Sequence, residues 1–154
     1  MGPLNHTPAN IVRYTLIDEG LGILAASTPW PPTQTWPIVY MSEPDTPNEV
    51  ITVFPTRGRM LGSAMHSGRW FEKHGVLIRV RATSDVADTG GIKAQAIVTA
   101  IDESIYDRTI TIGASRYLIH CFTRTSDVLY LGKQVPDNRR SLFTINTLVE
   151  LSML

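Results

Sequence analysis

Residues 75–83 read Gly-Val-Leu-Ile-Arg-Val-Arg-Ala-Thr, and this stretch decides the fold. Its alternate positions form an apolar set, Val76, Ile78, Val80 and Ala82, and a mixed set, Leu77, Arg79, Arg81 and Thr83. A period of two residues predicts a β-strand with one packed face. The charged tips of Arg79 and Arg81 need water or a carboxylate partner. We therefore expect the second face to meet solvent, a lumen or another subunit.

The composition indicates one domain. The chain has 154 residues, of which 43% are hydrophobic, and its 14 basic residues balance 14 acidic ones. These values predict a single globular domain over residues 1–154 with a substantial core. A neutral chain is not expected to be a dedicated duplex-DNA binder, because that affinity comes mainly from phosphate neutralisation. Eleven of the basic residues are arginines, the type favoured at protein interfaces.

The cysteine content and the N-terminus bear on the compartment. The single cysteine, Cys121, cannot form an intramolecular disulfide. Residues 1–6 lack the basic and apolar regions of a secretory signal, and no run approaches the roughly 18 apolar residues of a membrane span. We expect an intracellular, soluble protein with no membrane segment.

The patterns around the opening strand predict two helices and six further strands. The predicted helices run from Pro8 to about Leu24, after Thr7 as N-cap, and from Gly90 to about Ser104, after Asp88 or Thr89. The predicted strands are Ile38–Met41, Val50–Phe54, Thr109–Ile112, Arg116–Arg124, Val128–Leu131 and Leu142–Leu151. The order of helix, three strands, helix and four strands predicts an α+β domain, with a mostly antiparallel sheet and two helices packed on one face.

Four segments read as loops or arms. They are the proline-rich Ala25–Pro37, the exposed loop Ser42–Asn48, the irregular arm Met60–Glu72 and the connection Gly132–Arg140. In the first, Trp30 either docks on a partner or covers the edge of its own core. The arm has too many apolar residues for a free linker, so we expect it to pack against another surface.

Catalytic signals are weak in this sequence. Cys121 follows His120, but neighbours in a strand point to opposite faces, so we interpret Cys121 as a small buried core residue. The spacing of His66 and His74 fits no zinc motif. Gly90-Gly91 is interpreted as a turn before the helix, because the phosphate-binding glycine patterns are missing. The sequence therefore predicts no enzyme, no cofactor and no metal site.

Three acids stand near the C-terminal end of the second helix, where carboxylates oppose the helix dipole. They are Asp102, Glu103 and Asp107. We expect Arg108, Arg79 or Arg81 to pair with them.

The order and spacing of several segments resemble a known family. These are Trp36-Pro37-Ile38-Val39-Tyr40, Pro44-Asp45-Thr46-Pro47, Gly75 to Ala82 and Gly132 to Asn146, the last with Arg139-Arg140-Ser141-Leu142-Phe143-Thr144-Ile145-Asn146. Together they resemble the small minor capsid or tail terminator proteins of long-tailed bacteriophages. The resemblance runs from the first helix to the last strand.

The resemblance implies a structural virion protein with a tail-terminator-like fold. Such proteins form a hexameric ring that caps the tail tube, ends its polymerisation and joins it to the head–tail connector. The implied location is the tail or neck of a virion assembled in the host cytoplasm, with DNA passing through the lumen without specific binding. The expected contact residues are Trp30, Arg57, Arg59, Trp70, Arg79, Arg81, Arg139 and Arg140.

Three other functions stay open at this point. The first is another neck or head–tail joining protein, and the second is a peptide-binding adaptor that uses Trp30. The third is a small thiol enzyme that uses Cys121.

Overall fold

A computed structural model of the chain describes residues 4–24, 36–45, 47–63, 70–83, 88–133 and 140–154. Within these ranges the chain forms two α-helices and eight β-strands. Neither helix combines the length and apolarity needed to cross a bilayer.

Helix α1 spans Pro8–Asp18 and is bounded by a recognisable signal at each end. The Thr7 hydroxyl accepts a hydrogen bond from the Asn10 backbone at 3.3 Å, and Pro8 occupies the first turn, where no backbone donor is needed. At the other end Gly20 adopts φ +77°, and the backbone of Leu21 donates to Leu16. This left-handed glycine cap ends the helix before the predicted Leu24.

Helix α2 spans Thr89–Glu103, one residue displaced from its predicted bounds. Asp88 occupies the N-cap position in a left-handed conformation, but its side chain makes no capping bond. The helix buries one face against the sheet, through residues that include Ala94, Ile97 and Ile101. Ile92, which the helical pattern counted as apolar core, is 64% exposed.

The strands form one mostly antiparallel sheet. Their bounds are β1 Ile23–Leu24, β2 Pro37–Tyr40, β3 Val50–Ser63, β4 Trp70–Thr83, β5 Tyr106–Ile112, β6 Ser115–Arg124, β7 Leu129–Lys133 and β8 Arg140–Met153. The order across the sheet is β1-β2-β3-β4-β8-β6-β5, and β7 pairs with β8. Only the pairs β1–β2 and β2–β3 are parallel. The mixed α+β class with a mostly antiparallel sheet is therefore confirmed.

The sheet curls around a large apolar core. The apolar row of β4, formed by Val76, Ile78 and Val80, belongs to one buried cluster with residues of both helices. Helix α1 contacts β2 and β3 near one end of the strand order and β5 at the other. Arg108 of β5 also makes an ion pair with Asp18 of α1 at 2.6 Å. The sheet therefore bends far enough for its two ends to share α1.

The predicted irregular arm, Met60–Glu72, is wrong where the structure describes it. Residues 60–63 continue β3, and residues 70–72 belong to β4, in an antiparallel pair with two register shifts. Of the two glycines that favour an irregular interpretation, Gly62 instead accompanies a β-bulge, in which one strand carries an extra residue without ending, and Gly68 lies outside the described residues.

Two isoleucines of α2 provide a matched test of this packing. Ile97 is fully buried, whereas Ile92 is 64% exposed on the same helix. We expect Ile97→Ala to lower the free energy of unfolding by about 2–5 kcal/mol, because it removes core contacts and leaves a cavity. Ile92→Ala should stay within about 0.5 kcal/mol of the native value. Urea unfolding followed by circular dichroism measures both, and equal losses would contradict the assigned helix orientation.

Candidate interaction surfaces

Arg81 lies beneath a loop that crosses the outer face of the sheet, opposite the helices. We call this loop, residues 42–45 and 47–49, the strap. The Nη2 of Arg81 donates to the carbonyl oxygens of Pro44 at 2.6 Å and Pro47 at 2.8 Å, and its Nε donates to the Asn48 carbonyl at 3.3 Å. The Arg81 side chain is only 2% exposed. One guanidinium therefore holds the strap through several of its backbone carbonyl groups.

Glu43 supplies the carboxylate beneath the strap. Its Oε2 lies 3.5 Å from Nη1 of Arg81 and 4.0 Å from Nη1 of Arg79. Burial lowers the pKa of Arg81 below its ordinary value, and the negative charge of Glu43 opposes that shift. Arg79 is more open, with a side chain 32% exposed, and its guanidinium lies 5.2 Å from the ring centre of Phe54.

Arg140 of β8 also binds the strap, through two of its side chains. Its Nε donates to the side-chain oxygen of Asn48 at 3.0 Å, and its Nη1 donates to Asp45 at 3.0 Å. Arg140 stands opposite Thr83 of β4 in the sheet register. The strap, β4 and the beginning of β8 are thus joined by side chains as well as by strand pairing.

These contacts correct two expectations. Glu43, and neither Asp102 nor Glu103, is the acid beside Arg79 and Arg81, because the strap covers the outer face of β4. Asp102 instead accepts hydrogen bonds from Nε of Arg124, at 3.1 Å to each carboxylate oxygen.

The same contacts change the interpretation of the strap. Residues 42–48 were expected to form an exposed loop. In the structure, several of their backbone carbonyls and the Glu43 side chain point towards the sheet and bind Arg81. Arg81, which was expected to face a neighbouring subunit, is buried by its own chain.

A second surface is the far end of the β3–β4 pair. We call it the ribbon: residues 57–63 of β3 and 70–73 of β4. Strand β2 pairs with β3 only at residues 51–53, and β8 pairs with β4 only from His74 to Thr83. Within the described parts of the chain, the ribbon strands therefore pair only with each other.

A β-bulge at the base of the ribbon places Arg57 at the surface. The register shifts between Thr56 and Arg59, and Arg57 is exposed. A Cβ on Gly58 would lie 2.1 Å from the Lys73 carbonyl oxygen, and one on Gly75 would lie 2.3 Å from the Arg57 carbonyl oxygen. Glycine is needed at both positions because the two backbones approach so closely.

The remaining predicted contact residues are less informative. Trp30 and Arg139 lie outside the described residues. Arg59 and Trp70 have described backbones within the ribbon, and they stand opposite Lys73 and Ser63 respectively. The structure therefore brings Arg79, Arg81 and Arg140 together beneath the strap, while Arg57 lies apart from them at the base of the ribbon.

The predicted burial of Cys121 is wrong, because β6 contains a bulge. The register against β8 shifts between Ile119 and Cys121, so the buried positions run Tyr117, Ile119 and then Phe122. Cys121 is consequently half-buried, and strict alternation does not hold there. The His120 ring lies 2.9 Å, through Nε2, from the hydroxyl of Ser152. Among the described residues, no cluster of three or more histidine, cysteine or carboxylate side chains could hold a metal ion.

Sequence reasoning missed the partners in the strap. Residues 43–49 contain Glu43, Asp45 and Glu49 and no basic residue. That excess of acids, beside arginines without assigned partners on a neighbouring strand, was the available signal.

No family model matches the chain, and the search of curated proteins found no match either.

The two arginines of β4 should differ sharply when each is removed. Arg81→Ala leaves Glu43 and four strap carbonyls without their buried donor, and we expect the free energy of unfolding to fall by about 3–5 kcal/mol. Arg79→Ala is the matched control, and its partly exposed ion pair should cost about 1 kcal/mol or less. Urea unfolding gives both values. Amide hydrogen exchange should show loss of protection at Asn48 and Glu49 in Arg81→Ala alone. A similar effect from both variants would contradict the role of Arg81.

Proposed function

We propose that this chain is a structural, non-enzymatic ring subunit of a long-tailed phage. In this proposal it is the tail terminator, which caps the tail tube, ends its polymerisation and joins it to the head–tail connector. The proposal combines the sequence resemblance with one structural observation, namely a ribbon that extends beyond its own sheet.

The ribbon supports assembly because its outer backbone edges need partners. Two strands alone are marginally stable in water, and an open strand edge is a template for pairing with another chain. The described β3–β4 pair nevertheless continues to Ser63 and Trp70, past the last residues that β2 and β8 cover. A neighbouring subunit that packs against this end would stabilise it.

The opposite side of the sheet also supports contacts between proteins. Strand β7 pairs only with β8 within the described chain, and its residues Leu129, Tyr130 and Leu131 are each about half exposed. Three consecutive apolar residues on an open edge strand are unusual for a protein surface that meets only water.

The two surfaces differ, and this difference favours a ring. A ribbon on one side that meets a different surface of the next subunit forms a heterologous contact, and such contacts close into rings when the rotation permits. Because the chain carries no net charge, we propose that DNA crosses the lumen without specific binding. The peptide-adaptor hypothesis depends on Trp30, which lies outside the described residues.

Purified protein provides the direct test. We expect a closed oligomer of about six copies, with a mass several times the 17.1 kDa of one chain. Light scattering after size exclusion measures the mass, and negative-stain microscopy should show rings alone and at the end of phage tail tubes. Tubes assembled with the protein should stop growing at the capped end. A strict monomer that leaves tube growth unchanged would overturn the proposal.

A further inference from the structure

The neutral chain carries opposite charges on two separate surfaces. The ribbon residues 57–63 and 70–73 include three basic residues and one acid. Residues 102–107, where α2 gives way to β5, include three acids and no basic residue. The electrostatic asymmetry is therefore local, although the total is zero.

Basic residues at the base of the ribbon are available to a partner. Arg57 is exposed and Lys73 is half-buried. Neither has an acidic partner within 4.0 Å in the described parts of the chain. Arg81, by contrast, already donates hydrogen bonds to the strap.

The opposing surface combines an exposed aromatic ring with two carboxylates. We call it the Tyr106 corner: Glu103, Tyr106 and Asp107. Tyr106 is 66% exposed, and both acids are exposed. Neither acid forms an ion pair with a described residue, whereas Asp102 beside them is bound by Arg124. Tyrosine is enriched at protein interfaces because it presents a large rigid surface with a polar tip.

The sheet register places these two surfaces on one row. Tyr106 stands opposite Cys121, and Cys121 stands opposite Glu150. Because Val149 is opposite His74, Glu150 lies level with Lys73, the neighbour of His74. Tyr106 and Lys73 thus lie on one row of the sheet, three strand spacings apart, or roughly 14 Å along the sheet.

We propose that the ribbon base of one copy, through Arg57 and Lys73, binds the Tyr106 corner of the next copy. This inference rests on the proposed ring and identifies its subunit contact. Opposite charge selects the second copy as the partner. The two surfaces differ, so the contact is heterologous and can repeat around a ring.

Charge reversal tests the contact. The corner variant carries Glu103→Lys and Asp107→Asn; asparagine is chosen because Asp107 adopts φ 45°, which asparagine tolerates. The ribbon variant carries Arg57→Glu and Lys73→Glu. Each variant alone places like charges together, and we expect the concentration needed for assembly to rise at least about tenfold. Native assembly should also weaken as salt rises from about 0.1 to 1 M, because exposed charges are screened.

Mixing the two variants gives the discriminating result. In an equimolar mixture, the basic ribbon of the corner variant can bind the acidic corner of the ribbon variant, and the acidic ribbon of the ribbon variant can bind the basic corner of the corner variant. Rings in which the two variants alternate should therefore form, although neither variant forms rings alone. Arg116→Glu is the control, since Arg116 is exposed at the β5–β6 turn, and it should assemble as the native chain does. Tyr106→Ala is a further variant that changes no charge. Tyr106→Ala should weaken assembly while the urea concentration at the midpoint of unfolding stays unchanged.

The outcomes separate this inference from the function on which it rests. If native protein forms rings and both charge variants form them equally well, the contact is wrong and the ring function stands. If the variants fold, as judged by circular dichroism, but their mixture does not recover assembly, the contact is also wrong. If native protein stays monomeric and does not cap tail tubes, the proposed function fails and the contact fails with it.

Discussion

The guanidinium of Arg81 imposes the main constraint on the outer face of the sheet. A charge that is removed from water must find its hydrogen bonds and its counter-charge inside the protein. Here the acceptors come from the backbone of the strap and the counter-charge comes from Glu43. Strand β4 consequently determines the path of a loop more than thirty residues earlier in the chain. Arg140 extends the same arrangement to β8.

Much of the fold was predictable because local patterns and tertiary packing agree. The alternation in residues 75–83 predicted both the central strand and its buried row, Val76, Ile78 and Val80, and the structure confirms them. The Thr7-Pro8 signal located the start of α1 correctly. The failures occurred where one residue breaks a period. A bulge at His120 shifts the burial of β6, and glycine-associated bulges allow β3 and β4 to continue through a segment without clear alternation.

The candidate surfaces were harder to predict, since they depend on contacts between distant segments. The sequence showed that Arg79 and Arg81 needed partners but gave no register between β4 and the strap. Asp102 and Glu103 lie nearest to these arginines in the predicted order of elements, whereas their actual partner, Glu43, lies in the strap. Arg57 remains a predicted contact residue, and the exposure of Tyr106 was not predictable because it depends on where α2 ends and β5 begins. Arginine content alone does not distinguish a residue that holds its own fold from one that faces a partner.

The position of β8 has a consequence for how the chain folds as it is synthesised. This strand comes late in the chain yet lies between β4 and β6 in the sheet. Strands β6 and β7 both pair with the same edge of β8. Until β8 has left the ribosome, the earlier strands form two separate groups with facing open edges. Sheets that depend on such distant pairings fold slowly, because the entropy of closing a long loop is lost before the contacts form. A nascent chain would therefore remain unable to complete its central sheet until translation has passed residues 140–153.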